Sequence, residues 1–252
     1  MPVASGTLFH FTEKLETLRK IILESRFIPG ICAEDYSFLM SSGRKLEFRI
    51  PMVCFCDIPL HLIKEHVGNY GSHGIGLSKD WGIRKMLNPV FYIADTAPSS
   101  RITGDGNINL ALLKTLTKDM AKTGGNLSKT NYELFCYLKP HKGTGRDSRE
   151  KIFYEEREWR YVPPVFGNRK NMALFRELQK NRDAAHENKA KETMASYPLG
   201  FEATDLAYIF VKGEAERGEL IKTLGEIPGL DELSIRSLCS KIFLTDRINE
   251  DV

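Results

Sequence analysis

The chain reads as an α+β protein. Strand-length apolar runs such as Pro51-Met52-Val53-Cys54-Phe55-Cys56 and Leu206-Ala207-Tyr208-Ile209-Phe210-Val211 point to buried strands. Stripes of leucine and isoleucine at helical spacing point to amphipathic helices. The two kinds of segment follow one another irregularly, which argues against a regular parallel βαβ sheet. With 252 residues, 42% hydrophobic and 27% charged, the composition is that of an ordinary globular protein with one large domain or two small ones.

Thr7 to Phe11 predicts a first strand. It runs into a helix whose stripe is Leu15, Leu18, Ile21 and Ile22, with Thr12 as N-cap and Glu13 in the first turn. Arg26 to Arg49 reads as irregular and polar, with a short helix near Asp35 to Met40. The apolar strand at 51–56 is stopped by Asp57-Ile58-Pro59, and a second helix follows with Leu60, Ile63, Val67 and Tyr70 as its stripe. Gly74 to Leu77 and Pro89 to Ile93 predict two more strands. Ser78-Lys79-Asp80-Trp81-Gly82 between them starts a helical turn.

Residues 96–150 change character. Leu112, Leu113, Leu116 and Met120 mark a helix, and Gly124-Gly125 and Gly143-Thr144-Gly145 mark loops. Their apolar content is too small for a separate core, so they read as a helical insertion within a single domain spanning 1–252. Glu155 to Val162 predicts a strand. Residues 168–192 form a basic helical segment with Arg169, Lys170, Arg176, Lys180, Arg182, Lys189 and Lys191. It reads as a solvated helix or as a surface that tracks phosphates, diluted by Glu177, Asp183, Glu187 and Glu192. The buried strand at 206–211 follows, then helices near Glu214 to Leu224 and Leu233 to Cys239, and a last strand at Lys241 to Thr245.

The formal net charge of +3 argues against a bulk polyanion binder, though not against a local basic patch. No apolar stretch approaches the roughly 20 residues that span a bilayer. The N-terminus lacks a basic region followed by an apolar run, so no signal peptide is expected. The five cysteines are scattered in apolar surroundings, which fits a reducing cytoplasm.

The strongest chemical signal is Glu156-Arg157-Glu158-Trp159-Arg160-Tyr161. Read as a strand, it places Glu156 and Glu158 on one face, beside Tyr154 and Arg160, with Trp159 and Tyr161 on the other. Two carboxylates on one face are either paired with Arg157, Arg160 or a neighbouring lysine, or used. One could stabilise a developing cation or hold a sugar hydroxyl while the other acts as base. His10, on the first strand with Thr12 as same-face neighbour, is either a satisfied histidine or a group that holds a ligand's polar edge. A metal site is not expected: Cys54-x-Cys56 is not zinc spacing, and His61 and His66 do not face together. Buried Cys54 and Cys56 read as packing rather than as nucleophiles. Neither Gly104-Asp105-Gly106 nor Gly143-Thr144-Gly145 opens a Walker helix.

The order of these parts resembles the ADP-ribosyltransferase layout. Leu8-Phe9-His10-Phe11-Thr12 followed by a helix is similar to the opening of the histidine-type transferases and of the nucleic-acid-modifying DarT toxins. Five segments together resemble the AbiGi-type proteins of bacterial abortive-infection (phage-resistance) systems. They are Phe9-His10-Phe11-Thr12, Val53 to Leu60, Gly74 to Gly82, Asn88-Pro89-Val90-Phe91-Tyr92, and Glu156 to Tyr161.

The transferase resemblance implies a split β-sheet core with helices and a helical insertion. It also implies mono-ADP-ribosyl transfer from NAD, without a metal, to a macromolecular acceptor, DNA or RNA first. In that reading Glu158 stabilises the oxocarbenium-like ribose and holds its 2′-hydroxyl, Glu156 orients the acceptor, and His10 and Thr12 hold a ribose. Tyr36, Phe55 and Tyr70 are stacking surfaces for nicotinamide, and Ser78, Lys79 and Trp81 line the pocket. The AbiGi resemblance implies a toxin–antitoxin setting with a cognate toxin or antitoxin as partner. Its members have been labelled antitoxins, so the alternative is a non-catalytic antitoxin that keeps the fold, with Glu156 and Glu158 salt-bridged.

Overall fold

The computed structural model describes residues 5–39, 45–94, 108–122, 128–145, 150–180 and 183–251. The first half comprises β1 (Thr7–Thr12), α1 (Leu15–Glu24), β2 (Arg26–Phe27), β3 (Gly30–Asp35), β4 (Glu47–Cys56), α2 (Ile63–Tyr70), β5 (His73–Ser78), α3 (Lys79–Arg84), β6 (Asn88–Pro89) and β7 (Phe91–Ile93). The middle holds α4 (Ile108–Lys122), α5 (Lys129–Phe135), β8 (Leu138–Pro140), β9 (Lys142–Thr144), β10 (Glu150–Ile152) and β11 (Glu158–Tyr161). The remainder is α6 (Arg169–Lys180), α7 (Ala184–Met194), β12 (Leu199–Gly200), β13 (Leu206–Val211), α8 (Glu214–Gly225), α9 (Glu232–Cys239), β14 (Ile242–Leu244) and α10 (Thr245–Asp251). The fold is therefore α+β.

Among the described residues an eight-stranded mixed sheet runs β14-β13-β5-β1-β4-β11-β6, with β3 also paired to β4. Only β13 and β14 are parallel; the other pairs are antiparallel. The short pairs β9–β10, β2–β12 and β7–β8 stand apart from it.

β4 organises the molecule because it serves three partners. Its first half pairs with β3, from Asp35↔Glu47 to Gly30↔Met52. Its second half pairs with β11, from Tyr161↔Val53 to Glu158↔Cys56. Cys56 also meets Phe9 of β1. Successive residues of a strand direct their backbone groups to opposite edges. The backbone N–H and C=O of Arg49 go to the Gln179 side chain, so odd-numbered residues face away from β3. The Asp57 N–H, of the same parity, goes to the Arg157 carbonyl on the β11 side. Phe48, Ile50 and Met52 therefore face β3, and Cys56 faces β1 along that same edge. Between them the Cys54 carbonyl accepts a hydrogen bond from His10 Nδ1 at 2.8 Å. The sheet forks at Cys54, and the imidazole fills the place of a strand partner there.

Two large cores lie on the sheet. One contains Leu8, Val53, Phe55, Ile75, Leu77 and Ile209, covered by α1, α3, α8 and α9. The other contains Phe48, Ile50 and Met52, covered by α4 to α7 through Leu116, Phe135, Phe175 and Met194. A smaller cluster seats α2 on Phe9, Cys56 and Phe210 through Ile63. Each fully buried side chain of this type is worth about 1.5–3 kcal/mol, so these clusters dictate the strand register.

Several local expectations change. The stretch read as irregular contains β3 and the first half of β4, because Phe48 and Ile50 alternate with the charged Glu47 and Arg49 over a single buried face. Thr12 ends β1; α1 starts two residues later than a Thr12 cap requires, with Lys14 at its N-cap and no side-chain bond. Pro89 to Ile93 splits into β6 and β7, which join different sheets. The last strand stops at Leu244, and α10 follows it. The glycine loops at 104–106 and 124–125 lie outside the described residues, as do Met40 and Arg182.

Candidate functional site: a forked-sheet cleft

A cleft of about 1700 Å³ opens at the fork, bordered by the end of β1, α1, β3, α2 and the β8–β10 segment. Ordinary small-molecule pockets run to about 300–1,000 Å³.

Glu156 and Glu158 both line it, but not as neighbours on one strand. Phe153 to Glu156 form a 3-10 turn, and Arg157 is left-handed with φ 45°. The strand begins only at Glu158. The strand expectation fails because the four aromatic or acidic residues before Arg157 turn instead of extending. Tyr154, expected beside the carboxylates, is exposed and stacks on His141. The carboxylates converge on a lysine. Lys139 Nζ lies 2.8 Å from Glu156 Oε2 and also donates to Glu158 Oε2. Lys151 Nζ is 2.8 Å from Glu156 Oε1, which also accepts from the Tyr70 hydroxyl. Arg160 Nε donates to Glu158 Oε1 at 2.6 Å. Its Nη2 lies 3.1 Å from Glu34, and its Nη1 donates to the Cys136 carbonyl at 2.7 Å. Three carboxylates (Glu34, Glu156, Glu158) thus meet three cations (Lys139, Lys151, Arg160). The Tyr92 hydroxyl accepts the Glu158 N–H at 2.8 Å.

The electrostatics follow. Burial alone raises the Glu158 carboxyl, but Arg160 and Lys139 outweigh it and hold Glu158 well below the usual carboxylate range. Glu156 is likewise lowered, against its burial, chiefly by Lys139. Burial lowers the Lys139 ammonium, yet Glu158 and Glu156 reverse this and raise it. Such carboxylates are fixed charges, not proton carriers near neutral pH. His66, on α2 beside Tyr70, is pushed down to about 4, mainly by burial. Its buried Nε2 has no hydrogen-bond partner among the described residues.

His10 lies on the other side of the sheet from Glu158. Directly paired residues share a face, so Phe9, Cys56 and Glu158 project together. His10 projects oppositely, with ring centroids 5.5 Å from Phe55 and 5.1 Å from Phe27. Its bond to a carbonyl requires a proton on Nδ1, which leaves Nε2 as an acceptor, and burial lowers its pKa. The cleft reaches both faces only because β1 and β3 part at the fork.

Thr12, Phe55 and Tyr70 also line the cleft, although Phe55 is almost wholly buried. The other expected pocket residues lie elsewhere and have structural work. The Tyr36 hydroxyl donates to the Phe135 carbonyl at 2.6 Å inside the second core. Ser78 caps α3 by accepting the Trp81 N–H at 3.2 Å. Lys79 pairs with Asp57 at 2.7 Å. Trp81 is fully buried, and its Nε1 donates to the Gly200 carbonyl. Sequence reasoning missed Glu34, His66, Lys139 and Lys151. The nearest signal was Arg160, two residues from Glu158 on one strand face.

On α6 and α7, Arg169, Lys170, Lys180, Lys189 and Lys191 are exposed while Met172, Phe175, Leu178, Ala190 and Met194 are buried. Among the described residues no cluster of three His, Cys, Asp or Glu side chains is arranged to hold a metal ion. No described helix is long and apolar enough to cross a membrane.

Residues 25–212 match the family described as "Putative abortive phage resistance protein AbiGi, antitoxin". The chain is also 30% identical over 251 residues to the abortive phage resistance protein AbiGi of Lactococcus lactis subsp. cremoris, covering 89% of this chain and 99% of that protein. This chain belongs to the AbiGi family. The family match spans β3, β4, the lysines of the network and both carboxylates, and begins after β1 with its His10. No solved structure matches the chain, so the AbiGi assignment rests on sequence similarity.

Proposed function

We propose that this AbiGi-family chain is a phage-defence protein of the antitoxin type, acting by binding a partner rather than by catalysis. One observation carries this: the carboxylates that sequence reasoning singled out are consumed by the protein's own cations. Glu156 is held by Lys139, Lys151 and Tyr70, and Glu158 by Lys139 and Arg160. The family description as an antitoxin supports the same reading. The test is co-expression with the toxin of its own locus. The chain is expected to restore growth, and Glu158→Gln, if folded, to restore it equally. Growth arrest by the chain alone would overturn the reading.

A second reading has a specific observation in its favour. His10, Thr12, Phe55, Tyr70, Glu156 and Glu158 all border one cleft, as an ADP-ribosyltransferase-like architecture with NAD as donor requires. Glu158 would then stabilise the ribose cation and Glu156 orient a DNA, RNA or protein acceptor. Incubation with labelled NAD, nucleic acids and cell extract tests it. Turnover that Glu158→Gln reduces by at least ~100-fold supports transfer, that being the scale of one lost electrostatic partner. Absence of both NAD turnover and NAD binding removes it.

A further inference from the structure

The fork leaves a strand edge facing the cleft. Because Arg49 directs its backbone away from β3, its partner Ala33 forms a non-hydrogen-bonded pair with it. The same parity holds for Ile31, opposite Pro51, which has no N–H to exchange, and for Asp35, opposite Glu47. The N–H and C=O of Ile31, Ala33 and Asp35 therefore point away from β4. Among the described residues β3 has no strand on that side. All three residues line the cleft, and Ala33 and Asp35 are exposed. Edge strands are usually blunted by charged residues, proline or a bulge; β3 carries no lysine, proline or bulge within its paired length, and its charges, Glu34 and Asp35, sit at its C-terminal end.

We propose that the outer edge of β3 receives an extended segment of a partner polypeptide as an added strand. This rests on the binding reading and names what the cleft binds. Backbone donor–acceptor sets repeating at roughly 6.7 Å are complementary to another extended backbone. A nucleic acid is disfavoured on this edge, because the exposed charge that β3 presents is the acid Asp35, which would repel phosphates, while Glu34 is paired with Arg160. The cleft volume exceeds that of a small-molecule pocket and accommodates a chain segment.

The test uses the full chain and a displayed library of random twelve-residue peptides. Selected peptides are expected to slow hydrogen exchange at the amides of Ile31, Ala33 and Asp35. Ala33→Pro removes an outward N–H without touching the β4 ladder, and an edge strand tolerates proline. It is expected to weaken peptide binding about tenfold, the order of one main-chain hydrogen bond, while Ala33→Val binds as the parent does. If Ala33→Pro disturbs the fold, exchange protection in the unsubstituted chain decides. Four results would overturn the proposal: no peptide selected, equal binding by Ala33→Pro, protection elsewhere, or protection of the same amides by a short RNA or by raising the concentration of the chain alone. The two claims fail separately. Toxin neutralisation untouched by Ala33→Pro leaves the antitoxin reading standing without this edge. Peptide capture by a chain that neutralises no toxin leaves the edge standing without that reading.

Discussion

Arg160 Nε donates to Glu158 Oε1 at 2.6 Å, two residues away on the same face of β11, and both side chains are buried. The guanidinium also reaches Glu34 on β3 and the Cys136 carbonyl. One side chain thus ties β11 to β3 across β4 and to the α5–β8 connection.

Replacing Arg160 by glutamine takes the guanidinium from the buried Glu158, which keeps Lys139, and from the half-buried Glu34. Breaking a buried ion pair from one side costs about 3–5 kcal/mol. Urea unfolding is expected to show a loss of that order. Arg160→Leu combined with Glu158→Leu should recover part of it, because the buried Glu158 charge goes with its partner while Glu34 still lacks the guanidinium. Equal losses in the single and double variants would contradict the network.

Acid stability should show two windows. His66 has its folded pKa lowered to about 4 from an ordinary 6.5. Between those values the unfolded chain binds the extra proton, so stability falls as pH drops from 6.5 towards 4. Glu156 and Glu158 have depressed folded pKa values. Their contribution is complete above the unfolded carboxylate value of about 4.3 and is lost as pH falls below it. Denaturation midpoints measured from pH 7 to 2 should show both slopes. His66→Leu should flatten the upper slope alone, and Glu158→Gln the lower.

His10→Leu removes the donor that serves the Cys54 carbonyl at the fork. An orphaned buried acceptor costs about 1–3 kcal/mol. His10→Asn, which keeps a donor within shorter reach, should lose less. Thermal melts compare them. Equal stability of His10→Leu and the parent would show that the fork needs no side-chain plug.

Ser78→Ala should cost about 1 kcal/mol, the usual value of an N-cap hydroxyl, since Ser78 accepts the Trp81 N–H. Neither toxin neutralisation nor any NAD turnover should change beyond that stability loss. A specific loss of either at full folding would return Ser78 to the cleft.

The sheet strands with unbroken apolar runs, β4's second half and β13, were legible because burial on both faces leaves no polar residue in the pattern. β3 and β4's first half were not, since Glu47 and Arg49 make one face of β4 polar and the adjacent Glu34 and Asp35 put a charge on each face of β3. The carboxylates were legible as a pair worth attention. Their surroundings were not. Lys139 lies in the stretch that reads as an insertion and Lys151 just past its end, and only the fold carries them to Glu156 and Glu158.

The sequence by itself determined the α+β class, the AbiGi membership and His10, Glu156 and Glu158 among the residues at the fork, because local apolar periodicity and family motifs are properties of the linear chain. Only the tertiary structure decided what those residues do together. Strand pairing has a period of two, so the register Phe9↔Cys56↔Glu158 puts His10 and Glu158 on opposite faces. The same period leaves the Ala33 backbone pointing outward and brings Arg160 onto Glu158. Parity across strands distant in the chain is set by packing, and no local pattern records it.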